Sequence, residues 1–248
     1  MLSKSQISFV KSLHKKKFRK EWGLFIAEGI KSVVEFAQSN YVIDSIFYTT
    51  KDALKMGILS QKVKLVEIKE EELEKISTLT KPQQVLAIIR IPDHSTGAKI
   101  KLADQTFTLI LDNLQDPGNL GTIIRTADWF GFKQLICSPD TVEAYNPKVI
   151  QASMGSLSRV QVLYTDLLPL LGQCPLPIYG ALLDGKPIGQ TSFPAAGVLV
   201  LGNEGNGISD EVRQYIQHSV TIPRYGGAES LNVALSAAIF CMKIRNAF

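Results

Sequence analysis

The residues of this chain best suited to chemistry sit in loops that follow short apolar runs. Near the end, Val198-Leu199-Val200-Leu201 breaks into Gly202-Asn203-Glu204-Gly205-Asn206-Gly207. A second segment, Thr221 to Ala234, contains Ile222, Arg224, Gly226, Gly227, Ser230, Leu231 and Asn232. Glycines in such loops let backbone approach a ligand closely, so that N–H and C=O groups can hydrogen-bond a planar base. A third polar loop, Asn113 to Asn119, leads into a helical stretch that carries Arg125. Each feature also has an ordinary reading. A Gly-rich loop can be a plain turn, Asn119 and Ser230 can cap helices, and Arg125 and Glu204 can be surface charges. Ligands of an open parallel sheet bind at the C-terminal strand edge, which would make Asn119, Arg125, Glu204, Ser230 and Asn232 neighbours.

Several chemistries lack their signatures. The loop order G-x-x-G-x-G differs from the dinucleotide fingerprint G-x-G-x-x-G, and Gly185-Lys186 runs into Pro187 rather than a phosphate-loop Ser or Thr. Cys137, Cys174 and Cys241 follow no C-x-x-C spacing, and His14, His94 and His218 share no ligand spacing with them, so no metal is expected. A G-x-S-x-G elbow is absent.

The elements that must position these loops read as two α/β domains. Residues 1–95 suggest helices at Ser5–Leu13, Ile30–Ser39, Lys51–Leu59 and Glu70–Ser77, with a basic connector at His14–Lys20. Strands fit Leu24–Ala27, Val42–Tyr48, Val63–Ile68 and Val85–Ile91. Residues 96–104 serve as the linker, within a Pro- and Gly-containing polar stretch that begins near Ile91. Residues 105–248 open on Thr106–Leu111, apolar enough for a parallel strand buried on both faces. Further strands fit Gln134–Cys137, Val160–Leu163, Ile178–Leu182, Val198–Leu201 and Val220–Ile222. Helices fit Leu120–Phe130, Pro147–Met154, Asp166–Leu171, Ser209–His218 and Leu231–Met242. The last helix is small or apolar on every side and is therefore expected to be buried.

Charge is placed unevenly. Residues 1–100 hold 17 Lys and Arg against 11 Asp and Glu, whereas residues 101–248 hold 10 against 12. The first twenty residues carry Lys4, Lys11, Lys15, Lys16, Lys17, Arg19 and Lys20 with no acid, which points to a polyanion such as RNA. No apolar run approaches the roughly 18 residues needed to span a bilayer, and the basic start lacks an apolar signal core, so a cytoplasmic protein is expected.

Three motifs carry a family resemblance. Leu111-Asp112-Asn113-Leu114-Gln115-Asp116-Pro117-Gly118-Asn119-Leu120-Gly121-Thr122-Ile123-Ile124-Arg125-Thr126-Ala127 resembles the first motif of the SpoU/TrmH RNA 2'-O-ribose methyltransferases. Leu201-Gly202-Asn203-Glu204-Gly205-Asn206-Gly207-Ile208-Ser209 resembles the second, and Ile222-Pro223 with Ser230-Leu231-Asn232-Val233-Ala234 the third. Together they span most of residues 106–242. The basic start and Phe25-Ile26-Ala27-Glu28-Gly29 are similar to the family's smaller RNA-binding domain, which is related to ribosomal proteins.

The resemblance implies a SPOUT α/β fold with a parallel sheet and a deep trefoil knot, a homodimer, and S-adenosylmethionine as cofactor. It implies cofactor contacts at Gly202, Asn203, Gly207, Ile222 and Leu231. The catalytic group would be Arg125, Asn119, Glu204, Ser230 and Asn232, some of them acting across the dimer interface. Arg125 would be either the base or the group that orients phosphate and hydroxyl, since guanidinium stays protonated at ordinary pH. RNA contacts are expected at Lys15, Lys16, Lys17, Arg19 and Arg224. Arg224 departs from the family pattern, in which Met often follows Ile-Pro. The domain at 1–95 favours ribosomal RNA as substrate. Transfer RNA, or a non-catalytic role in RNA binding or ribosome assembly, are the alternatives.

Overall fold

The structure, a computed structural model, describes residues 1–50, 63–93, 102 and 106–246. The helix expected at Lys51–Leu59 and, Leu102 apart, the linker at 96–104 lie outside the described residues. In chain order the first half contains α1 (Lys4–Ser12), α2 (Lys16–Trp22), β1 (Leu24–Glu28), α3 (Ile30–Ala37), β2 (Ile43–Tyr48), β3 (Lys64–Glu67), α4 (Glu70–Ile76) and β4 (Val85–Arg90). There follow β5 (Phe107–Leu111), α5 (Pro117–Trp129), β6 (Gln134–Cys137), α6 (Pro147–Ser153), β7 (Gln161–Tyr164) and α7 (Leu167–Gly172). The chain closes with β8 (Ile178–Pro187), β9 (Gly197–Leu201), α8 (Asp210–Arg213), β10 (His218–Thr221) and α9 (Val233–Arg245). Among the described residues no helix is long and apolar enough to cross a membrane.

Two compact units result, and the first is discontinuous: Met1–Thr96 together with Glu143–Arg159. Its sheet has the order β1-β4-β2-β3, antiparallel except for β2 with β3. Alternation along β1 sends successive side chains to opposite faces. Ile26 joins Val10, Leu13, Leu73, Ile76 and Leu86 under α1 and α4. Phe25 meets Phe36, Tyr41 and Tyr145 on the other face, with ring centroids 4.8–5.9 Å apart. The expected basic connector is a helix, α2. It ends on Gly23 in the left-handed conformation (φ 62), where a glycine costs least.

The second unit, Gly97–Val142 and Val160–Phe248, is built on a six-stranded sheet of order β10-β8-β9-β5-β6-β7 with every pairing parallel. The adjacent strands β5 and β9 are buried along their whole length, as their unbroken apolar runs require. Two expectations change here. Strand β8 runs on to Pro187, and its pairing with β10 jumps from Gly180–Ser219 to Lys186–Val220. Gly185 permits this, because a Cβ there would lie 2.6 Å from the Ser219 backbone. The helix expected at Ser209–His218 shrinks to α8, and the residues after it feed β10.

The last helix also differs from expectation. Val233, Ala234, Ala237, Phe240, Cys241 and Ile244 of α9 are buried, and the helix packs along α5. Its other side is open: Leu235 is 56% and Met242 50% exposed. An apolar residue on every side did not mean burial on every side.

Candidate active site

The C-terminal ends of β5 and β9 lie side by side, with Leu111 in register with Leu201. Asp112, the first residue past β5, is buried, and its backbone N–H donates to the Leu201 carbonyl at 2.9 Å. Its Oδ2 accepts the Ser209 N–H at 2.8 Å, so one residue, through its backbone and its carboxylate, ties both ends of the loop Gly202–Gly207. Asn113 follows in the left-handed region (φ 55), which asparagine tolerates better than most residues. Its carbonyl accepts Asn203 Nδ2 at 2.7 Å.

Asn203 organises its own loop. Its Oδ1 accepts the N–H groups of Gly205 and Asn206 at 2.8 and 3.1 Å. Its backbone pairs in both directions with Gly207, which needs φ 70. Gly202 lies so close to the returning strand of the loop that a Cβ would meet the Gly207 carbonyl carbon at 2.2 Å. Any side chain at 202 would force the loop open.

A polar relay crosses from this loop to the two helices. Asp116 caps α5 by accepting the Asn119 N–H at 2.7 Å, with Pro117 at the first helical position. Asn119 is thereby released from capping. Its Nδ2 donates to Glu204 Oε1 at 2.8 Å, and its Oδ1 accepts Asn232 Nδ2 at 3.0 Å. Asn232 caps α9, its Oδ1 accepting from Ala234 at 2.9 Å and Leu235 at 3.3 Å. Donor chemistry fixes the direction of the relay. An ionised carboxylate only accepts, and the Asn232 oxygen is committed to the helix, so each amide has one self-consistent orientation. Residues 119, 204 and 232 thus meet at one sheet edge.

The relay bonds do not include the other expected site residues. Arg125 lies about 9 Å further along the axis of α5 at 1.5 Å per residue. It is exposed, as are Thr122 and Trp129 on the same face of the helix. Ser230 is exposed in the loop between β10 and α9, Ile222 is half-buried at its start, and Leu231 is exposed at its end. Arg224 donates Nη1 to the Ala228 carbonyl at 3.2 Å and so folds the loop back on itself. Ser230 does not cap α9; Asn232 does.

In the first unit, Lys15, Lys16 and Lys17 are exposed, but Arg19 is not available to RNA. Only 2% of its side chain is exposed. Its Nη2 and Nε donate to Glu143 at 2.8 and 3.1 Å, and its Nη1 donates to the Leu13 carbonyl at 2.8 Å. Arg19 is a structural cation, and the expectation of RNA contact there is withdrawn. His14 beside it is half-buried against the Ile76 carbonyl at 3.0 Å, and burial holds its pKa below 6.5. Burial pushes the Cys241 thiol up to about 12 and raises Cys137 as well, so neither supplies a thiolate. Among the described residues no group of three His, Cys, Asp or Glu could hold a metal ion.

Sequence reasoning had not given Asp112, Asn113 and Asp116 a role. The Asp-Pro pair that starts α5 was the available signal, because Asp before Pro is a strong N-cap pattern. Nothing in the sequence revealed that Asp112 would reach Ser209.

Comparison with known proteins agrees with this geometry. Residues 106–242 match the model of the SpoU rRNA Methylase family, and residues 4–87 match the MRM3-like substrate binding domain. The 23S rRNA (guanosine(2553)-2'-O)-methyltransferase RlmP of Bacillus subtilis is 32% identical, covering 95% of this chain and 94% of its own. A TrmH-family structure from Porphyromonas gingivalis, described as a putative RNA methyltransferase, superposes with a TM-score of 0.89 at 38% identity, and both chains are covered completely. AviRb from Streptomyces viridochromogenes, solved in complex with AdoMet, shares the fold at a TM-score of 0.87 and 20% identity, with 98% of each chain covered. The relay of Asn119, Glu204 and Asn232 joins all three motif segments within the first of these matches, and the chain belongs to the SpoU rRNA methylase family.

Proposed function

We propose that this protein transfers a methyl group from S-adenosylmethionine to a ribose 2'-hydroxyl of ribosomal RNA. The observation that carries this reading is the Glu204–Asn119–Asn232 relay, which ties the three motif segments together at the C-terminal sheet edge. The neighbouring loops fit the cofactor. Gly202 and Gly207 bring backbone together where a Cβ would block it, and the exposed segment after Ile222 offers backbone N–H and C=O groups to a purine. Gly202, Asn203, Gly207, Ile222 and Leu231 would hold the adenosine.

When bound, S-adenosylmethionine supplies a methyl group on a positively charged sulfur. The ribose oxygen would take the methyl as the carbon–sulfur bond breaks, the sulfur leaving as a neutral thioether and the hydroxyl proton passing to water. Guanidinium is a poor base, so the role assigned to Arg125 is to hold the adjacent phosphate and orient the hydroxyl. The relay positions Glu204 and fixes the start of α9, while Ser230 stands in the loop between them. Holding the reacting oxygen at attack distance is where such a site gains most of its rate.

The reading includes a homodimer formed through α5 and α9. Trp129 is 84% exposed and joins Leu235 and Met242 as large apolar side chains open to water on two helices that pack together. It also includes the family's knot and a cytoplasmic location. Likeness to the Bacillus subtilis relative along almost the whole chain, and the substrate-binding unit ahead of the catalytic one, favour large-subunit ribosomal RNA over transfer RNA.

The test is methyl transfer from labelled S-adenosylmethionine to ribosomal RNA and, separately, transfer RNA from cells lacking the protein. The modified ribose is located by resistance to alkaline cleavage. Label at one ribose of ribosomal RNA is the expected result. Label only in transfer RNA would correct the substrate, and failure to bind S-adenosylmethionine would overturn the reading.

A further inference from the structure

The first unit contains a cavity of about 780 Å³ that the methyl-transfer site does not use. That volume lies in the range of pockets that hold small organic ligands, roughly 300–1,000 Å³. Two stretches distant in sequence wall it: Gln83 and Gln84 before β4, and Gln151 and Met154 on and after α6. Ile30, Pro82, Pro147 and Ile150 add apolar groups to the lining. Lys31 stands at the rim, exposed, on the first turn of α3.

Three side-chain amides line the cavity beside these apolar groups, and the one carboxylate among the lining residues, Glu28, is held by Thr78. Each amide offers a donor and an acceptor on a planar group, which is the complement of a nucleobase edge. None of the three is buried, so none is committed to the core. Backbone strain gathers at the same place. Among the described residues three non-glycine residues have positive φ, and two of them, Gln84 (φ 42) and Met154 (φ 48), line this cavity. Gly29 (φ 87) lines it as well, and the Gln83 amide lies over the space a Cβ would fill. Residues held in such conformations cluster where a ligand is clamped.

We propose that this cavity takes one unstacked nucleotide of the RNA substrate. The base enters the slot between Pro82, Pro147 and Met154, and its edge is read by the amides of Gln83, Gln84 and Gln151. Its phosphate lies at the rim beside Lys31. Sequence-specific RNA recognition works on bases splayed out of a helix, and such a pocket admits one base at a time. The proposal rests on the methyltransferase reading for the identity of the ligand as RNA. It adds the part of the molecule that chooses which nucleotide is presented.

Two substitutions separate binding from folding. Gln84→Gly removes one amide and relieves a positive φ, so the variant should melt no lower than the parent. Gln151→Ala removes another amide from an exposed helical position. With large-subunit ribosomal RNA as substrate, each should raise KM about fivefold, the worth of one neutral hydrogen bond. Neither should change kcat or the affinity for S-adenosylmethionine. Ultraviolet crosslinking of the full chain to the same RNA substituted with 4-thiouridine should label peptides 81–86 and 147–154. Unlabelled RNA should compete, and the four nucleoside monophosphates should not.

Unchanged KM in both variants, or crosslinks confined to other peptides while methyl transfer persists, would overturn the proposal. Saturable binding of a free nucleoside monophosphate that RNA cannot displace would also overturn it, and would make the cavity a free-nucleotide site. RNA crosslinked at these peptides without any S-adenosylmethionine binding would sustain the cavity proposal and sink the methyltransferase reading instead.

Discussion

Asn119 donates its side-chain amide to the Glu204 carboxylate at 2.8 Å, across 85 residues of chain. The bond exists because Asp116, not Asn119, caps α5. Replacing Asn119 with Asp would set a carboxylate against Glu204 and remove the donor. With both acids ionised the repulsion displaces Glu204 and Asn232, and we expect kcat to fall about 100-fold near pH 8, the scale of a misplaced catalytic group. One of two facing carboxylates has a raised pKa, so lowering the pH toward about 5 restores a shared proton and part of the rate. Asn119→Ala has no proton to regain. A pH–rate profile of the Asp variant that runs parallel to that of the Ala variant would refute the relay's role.

Arg19 and the nearby lysines should separate cleanly. Arg19→Ala leaves Glu143 without its partner, and we expect a loss of about 3 kcal/mol in unfolding free energy with no change in the salt dependence of RNA binding. Replacing Lys15, Lys16 and Lys17 with Gln should do the reverse. Stability should stay within about 0.5 kcal/mol, and the slope of log affinity against log salt should shrink by up to about 0.9 per lost phosphate contact. Denaturant melts and salt titrations of both variants give the answer.

His14 makes the first unit sensitive to acid. Its pKa is lowered mainly by burial, so the folded state binds a proton less readily than the unfolded chain. Stability from this residue is complete above the ordinary value of 6.5 and is lost as the pH falls through the lower folded value. His14→Gln keeps a donor for the Ile76 carbonyl and removes the titration. We expect melting temperature to decline less steeply below pH 6.5 in the variant than in the parent; identical declines would assign the acid sensitivity elsewhere.

The open face of α9 gives a prediction about assembly. Leu235→Glu places a charge among exposed apolar side chains without touching the buried side of the helix. We expect a dimer by sedimentation for the parent and a monomer for the variant. A variant monomer that still binds S-adenosylmethionine at parent affinity would show that cofactor contacts are complete within one chain.

Much of this was legible in the sequence. The unbroken apolar runs at Thr106–Leu111 and Val198–Leu201 read as buried strands, and they are the adjacent strands β5 and β9. Glycine spacing marked the loop that Gly202 and Gly207 close. What escaped depended on partners distant in sequence. Arg19 reads as one more cation of a basic run until Glu143 is placed 2.8 Å away. A helical stretch at 209–218 reads well until β10 claims its second half for pairing with β8. The cavity beside Gln84 was invisible because its walls come from residues more than sixty positions apart.

The discontinuity of the first unit bears on the order of synthesis. Arg19 finds its carboxylate at Glu143 and Phe25 its ring partner at Tyr145, yet both partners are translated after strands β5 and β6 of the other unit. An emerging chain that has reached only the linker therefore holds Arg19 without Glu143, and a Phe25 ring that meets Phe36 and Tyr41 but not Tyr145. Domains usually fold in turn as they leave the ribosome. Here the N-terminal unit has all of its contacts only once residue 159 is out, and a fragment cut at the linker lacks those that Glu143 and Tyr145 supply.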